Sequence, residues 1–97
     1  MTEKDSPVSI DFSTFAVSLG SAALMGLGLA KNPATGNFEK NLDSAKLHID
    51  LLTMLKEKTK GNLTKEEEEL LNALLYDTKM RYVEVVKGES KEETKAK

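Results

Sequence analysis

Apolar residues return along this chain in three stretches, each at the three- and four-residue steps of an α-helix. In the first, Phe12, Phe15, Ala16, Leu19, Ala23, Leu27 and Ala30 form one continuous face. Val17, Leu24 and Met25 add apolar surface on the other sides, so a helix here needs more than one neighbour. Asp11 or Ser13 can cap its start by accepting free backbone N–H groups. Gly20, Gly26 and Gly28 each cost about 1 kcal/mol against Ala in a helix interior. They fit where another backbone packs closely or where the helix stops, and Gly28 suits a C-terminal cap.

The segment Asn32-Pro33-Ala34-Thr35-Gly36-Asn37 reads as a turn, because Pro presets φ and Gly permits a positive one. A second helix then starts at an Asn41 cap with Asp43 in its first turn, and runs to about Lys60 with Gly61 as the left-handed residue after it. Leu42, Ala45, Leu47, Ile49, Leu51, Leu52, Met54 and Leu55 cover about two-thirds of its circumference. That predicts a central helix packed on two sides.

The third helix has the clearest start. Thr64 and Glu67 form a capping box, and Glu66 to Glu69 put negative charge at the positive helix end. It should continue to about Val86, with Leu70, Leu71, Leu74, Leu75, Thr78, Tyr82 and Val85 as its core face. Ala73, Tyr76, Met80 and Val83 make a second stripe on a different side. Outside these helices, residues 1–10 read as a flexible arm. Residues 88–97 have no apolar side chain larger than Ala96 and read as a disordered charged tail. The pattern therefore predicts an all-α domain over residues 11–87, with helix one packed on a hairpin of helices two and three.

Composition narrows what such a domain can do. Lys and Arg number 14 against 16 Asp and Glu, a net charge of −2 that gives no footprint for nucleic acid. There is no Cys and a single His, so no disulfide, zinc site or cofactor is expected. A chain this short buries only about 60–65% of its unfolded surface and needs good helix packing or oligomerisation.

The run from Phe12 to Ala30 carries no charge, close to the roughly 20 residues that span a bilayer. Its many Gly, Ser and Thr residues dilute that signal, and Glu3, Asp5 and Asp11 precede it rather than a basic start. A buried helix is the preferred reading, and membrane association through residues 12–30 is the alternative.

Several strings resemble one bacterial family. They are Phe12-Ser13-Thr14-Phe15, Ser18-Leu19, Leu27-Gly28, Pro33-Ala34-Thr35-Gly36 and Ile49-Asp50-Leu51-Leu52. The most distinctive runs from Glu57 through Lys58-Thr59-Lys60-Gly61-Asn62-Leu63 to Thr64, followed by Glu66-Glu67, Leu74-Leu75-Tyr76-Asp77 and Arg81-Tyr82. This set is similar to the domain of unknown function 1844 family, over residues 10 to 84. The resemblance implies a helical, cytoplasmic bacterial protein and carries no activity with it.

Candidate chemistry is sparse, and no catalytic or metal-binding residue is expected. His48 falls on the apolar face of helix two, where it is either a packed side chain or a base or pH switch. Asp50, Glu57 and Glu66 to Glu69 sit on wet strips or at a helix start, where carboxylates stabilise helices. Asp77 and Arg81 are spaced for an i, i+4 pair and, with Tyr82 and His48, are the candidates for polar recognition. Lys60-Gly61-Asn62 could hold a small anion, but capping already explains it. Surplus apolar surface on helices one and three predicts a homodimer and an unidentified protein partner. The interface candidates are Phe12, Phe15, Leu19, Leu24, Leu27, Tyr76, Met80 and Val83. The expected function is helix-mediated protein–protein interaction without enzymatic activity; a ligand binder or enzyme subunit is the least favoured class.

Overall fold

The computed structural model describes the backbone of residues 11–96 and the side chains of residues 11–88. The expected N-terminal arm, residues 1–10, lies outside the described residues. Three helices follow in order: α1 (Phe12–Gly26), α2 (Leu42–Lys58) and α3 (Lys65–Ala96).

Each helix begins at a side-chain cap that its sequence supplies. Asp11 Oδ1 accepts the Thr14 N–H at 2.7 Å, and hydrogen bonds from the Thr14 backbone and then its side chain hold the Asp11 carboxyl below its ordinary value. The cap therefore adds stability above the ordinary carboxylate pKa, and loses it as pH falls through the lowered folded-state value. Asn41 Oδ1 accepts the Ser44 N–H at 3.1 Å. At α3 the capping box closes both ways: the Thr64 N–H donates to Glu67 Oε1 at 2.9 Å, and the Glu67 N–H to Thr64 Oγ1 at 3.1 Å.

The first helix stops where glycine lets it. Gly28 has φ +78, its N–H donates to the Met25 carbonyl, and the Leu29 N–H reaches back to the Leu24 carbonyl, both at 3.0 Å. This pair of bonds is a Schellman stop, so the uncharged stretch from Phe12 to Ala30 is not one helix. Among the described residues no helix is long and apolar enough to cross a membrane. The turn that follows closes with an Asn32–Asn37 bridge and is tied to Glu39, whose carboxylate accepts from Asn32 Nδ2 and Thr35 Oγ1.

Packing differs from expectation in which helix is central. α1 makes the most extensive contact, with α2, and also packs on α3, while the α2–α3 contact is the smallest. The cause is size. The inward face of α1 is Ala16, Gly20, Ala23, Gly26 and Leu27, nearly all small, so α2 comes in close. The Asn41 N–H donates to the Gly26 carbonyl at 2.7 Å, and a Cβ built on Gly26 would lie 2.7 Å from Ala45 N and 2.9 Å from Asn41 O. At the other end Leu52, Leu71 and Leu75 form the leucine core, with Phe12, Leu19, Leu55 and Leu63 packed against it. Phe12 thus lies near Leu71 and Gly20 against Leu74, while Leu27 and Val85 share a groove, so α1 and α3 run the same way.

Two expectations about extent are corrected. Helix α2 buries Ala45, Ile49 and Leu52 only; Leu47 and Met54 are 55% and 45% exposed on its far side, so it is packed on one side rather than two. Helix α3 does not stop near Val86; its bounds are Lys65–Ala96. Extending a helix already nucleated needs no new core, and the segment beyond Val86 is mostly Lys, Glu and Ala, which favour helix over the opposition of Gly88, Ser90 and Thr94.

Candidate functional site

One feature of the surface that folding does not account for is the outer face of α3. Burial of Leu71, Leu75 and Thr78 fixes how the helix is turned. The Thr78 hydroxyl satisfies itself on the Leu74 carbonyl at 2.7 Å, so a polar residue can sit at that packed position without a partner from another helix. With that face inward, the three-four spacing carries Ala73, Tyr76, Met80 and Val83 to the opposite side. Tyr76 is 70% exposed, Met80 46% and Val83 48%. Met80 and Val83, together with Lys79, Glu84 and Lys87, line a shallow groove of about 340 Å³.

Helix one contributes less than its sequence promises. Leu27 is only 2% exposed and has no surface to offer a partner. Phe12 and Leu19 are half-buried against the leucine core, and Leu24 is half-buried as well. Phe15, on the apolar face of the sequence pattern and also an interface candidate, is 52% exposed, because the close crossing turns the small residues inward and leaves the ring outside.

A sequence profile, Domain of unknown function (DUF1844), matches residues 9–84. The chain belongs to the DUF1844 family. The matched span holds the capping box, the leucine core and the Tyr76–Val83 stripe, whereas Lys87 and the end of α3 lie beyond it. No curated protein and no solved structure matches this DUF1844 chain.

The polar candidates of the DUF1844 domain are dispersed. Arg81 Nε lies 3.0 Å from both Asp77 carboxylate oxygens, but each side chain is about half exposed, so the pair contributes little to stability. Tyr82 is half-buried on the core side of α3, near enough to Lys46 to help raise its pKa; the main causes of that shift are the hydrogen bond and charge of Asp50, 2.9 Å away. Tyr76 and Tyr82 therefore face different sides and do not form one site with Asp77 and Arg81. His48 is elsewhere again. Its Nδ1–H donates to the Ser44 carbonyl at 2.8 Å, and the half-buried ring lines a groove with Met25, Gly26, Asn41 and Glu39.

The α2–α3 junction offers a groove of about 420 Å³ with Lys56, Lys60, Glu57 and Glu68 on its walls. Its charges alternate in sign, and its polar backbone is used locally: Thr59 Oγ1 donates to the Leu55 carbonyl and the Asn62 N–H to the Thr59 carbonyl. One apolar surface escaped the sequence reading altogether. Leu47 and Met54, with half-buried Leu51 between them, form a stripe on α2 turned away from the core. Its signal was present in the i, i+4, i+7 spacing, hidden by counting every leucine of α2 as core.

Proposed function

We propose that the protein is a non-enzymatic interaction module of the bacterial cytoplasm, which self-associates through α3 and engages another protein through a second helix face. The observation that carries the proposal is the stripe of Tyr76, Met80 and Val83, exposed on the side of α3 opposite its core residues. A contiguous apolar strip flanked by charges loses little by desolvation and gains from burial, which is how interfaces are built. Closed two-fold pairs are the commonest way for one such strip to be covered. Leu47, Leu51 and Met54 on α2 leave a separate face for the other protein. The polar groups support the non-catalytic part. Thr64 and Glu67 are committed to a cap, Asp50 and Asp77 to exposed pairs along their own helices, and His48 Nδ1 to its own helix.

Sedimentation equilibrium across a hundredfold concentration range tests it. The parent chain should move from monomer to dimer, and the double variant Tyr76→Ser, Met80→Ser should stay monomeric with an unchanged far-ultraviolet circular dichroism spectrum. A single 10.7 kDa species for the parent at every concentration would defeat the self-association reading.

A further inference from the structure

The outer face of α3 carries more than apolar surface. Glu69, Ala73, Tyr76, Met80, Val83 and Lys87 follow one another at steps of four, three, four, three and four, the a/d spacing of a helix–helix seam, and all six are exposed. The apolar centre is thus closed by a carboxylate at one end and an ammonium at the other. We propose that a second copy of this chain lies antiparallel along this seam, with Glu69 of each copy against Lys87 of the other. The inference rests on the self-association proposed above and adds its direction and its register.

Antiparallel packing sets a against d. Ala73 then faces Val83 of the second copy and Tyr76 faces Met80, with the two-fold axis crossing the seam between Tyr76 and Met80. Each layer pairs a smaller side chain with a larger one, and the central layers place a thioether beside an aromatic ring, a favourable contact. The parallel alternative stacks Ala73 on Ala73 and Tyr76 on Tyr76, which leaves a gap in one layer and crowding in another. It also sets Glu69 on Glu69 and Lys87 on Lys87, and brings the whole Glu66–Glu69 run against its own copy. Helix dipoles favour the antiparallel arrangement as well.

The antiparallel seam carries one adverse feature. Near the two-fold axis Asp77 and Lys79 each meet their own copy on the flanks. Asp77 is already held by Arg81, whose Nε is 3.0 Å from both its oxygens. Lys79 is exposed on a flexible stem, where a like charge is screened by water and salt. Two charge pairs gained at the ends offset the two like-charged contacts at the middle, and together with the complementary apolar layers they set the direction. With four apolar residues per copy, the dimer is reversible and dependent on concentration.

Charge reversal measures this directly, with Kd read by sedimentation equilibrium at low salt and folding checked by circular dichroism. Glu69→Lys should weaken the dimer about fivefold to tenfold, since each dimer contains two such pairs. Lys87→Glu should do the same, and the double variant should return to within about twofold of the parent, because the pairs re-form with their signs exchanged. In a parallel dimer each single reversal merely replaces one like-charged contact with another, so two ineffective single variants in a chain that still dimerises would overturn the antiparallel seam and leave self-association standing. A parent chain that stays monomeric would overturn both. Because the sequence has no cysteine, a second readout is clean. Ala73→Cys and Val83→Cys chains, oxidised as a mixture, should cross-link to each other; cross-links confined to identical chains would refute the proposed direction.

Discussion

The inner face of α1 and the outer face of α3 invert the usual relation between size and burial. Ala16, Gly20, Ala23 and Gly26 on α1 are buried, although together they offer little side-chain surface. Tyr76, Met80 and Val83 on α3 are large and stay in solvent. The difference comes from what each face must approach. α1 crosses α2 closely enough for the Asn41 N–H to reach the Gly26 carbonyl, and only residues without bulk permit that. α3 meets its neighbours through Leu71, Leu75 and Thr78, and among the described residues its far side stays exposed at Tyr76, Met80 and Val83. Small residues mark the close crossing of α1 and α2, and the large exposed ones on α3 are the surface that the proposed pairing would cover.

The largest test of that contrast is Gly26→Ala. The added methyl would meet Ala45 N at 2.7 Å and Asn41 O at 2.9 Å, both backbone atoms of α2 that cannot rotate away. The variant should lose about 2–3 kcal/mol of stability, a large part of what a domain this small possesses. Urea unfolding would read it as a lower midpoint with an unchanged slope. A midpoint equal to that of the parent would mean that α1 and α2 are not packed this closely.

Next in size is the start of α3. Its first turn depends on the cap, because the leading backbone N–H groups have no partner within the helix. Thr64→Ala removes the hydroxyl that accepts the Glu67 N–H at 3.1 Å and should cost about 1 kcal/mol. Melting followed at 222 nm measures it, and an unaffected melting temperature would show that the capping box is not formed in solution.

The outer face itself gives a smaller number. At concentrations low enough to keep the chain monomeric, Tyr76→Ser should change stability by no more than about 0.5 kcal/mol, since the ring is 70% exposed. A loss comparable to that of Gly26→Ala would place Tyr76 inside the fold and reverse the comparison.

These faces also mark where sequence reasoning reached and where it stopped. Caps and stops were legible because they are local: Asp11, Asn41, Thr64 with Glu67, Gly28 and Gly61 all act on backbone within a few residues. The outer stripe of α3 was legible too, because a core face and a second face cannot both be buried by two neighbours. The inner face of α1 was not. Periodicity weighs Phe15 above Gly26, whereas a close crossing selects for absence of bulk, and the partner that sets it, Ala45, lies on another helix. For the same reason Leu27, an interface candidate, is turned inward and Leu47, counted with the core, outward, by a crossing that hydrophobicity does not encode.

The smallest expected effect separates two glycines on one face of one helix. A Cβ on Gly20 would also be tight, 3.0 Å from Leu74 Cδ2, but its neighbour is the free end of a half-buried side chain rather than backbone. Leu74 can move by a few tenths of an ångström and still cover the site. Against that modest strain stands the gain of about 1 kcal/mol from replacing Gly with Ala inside a helix. The two contributions nearly cancel, so Gly20→Ala should unfold within about 0.5 kcal/mol of the parent and can even be slightly more stable. Measured beside Gly26→Ala in the same urea series, it isolates the hardness of the neighbour from the mere presence of a glycine. If both variants lose stability equally, the face is uniformly intolerant of bulk, and the distinction between a backbone wall at Gly26 and a side-chain wall at Gly20 fails.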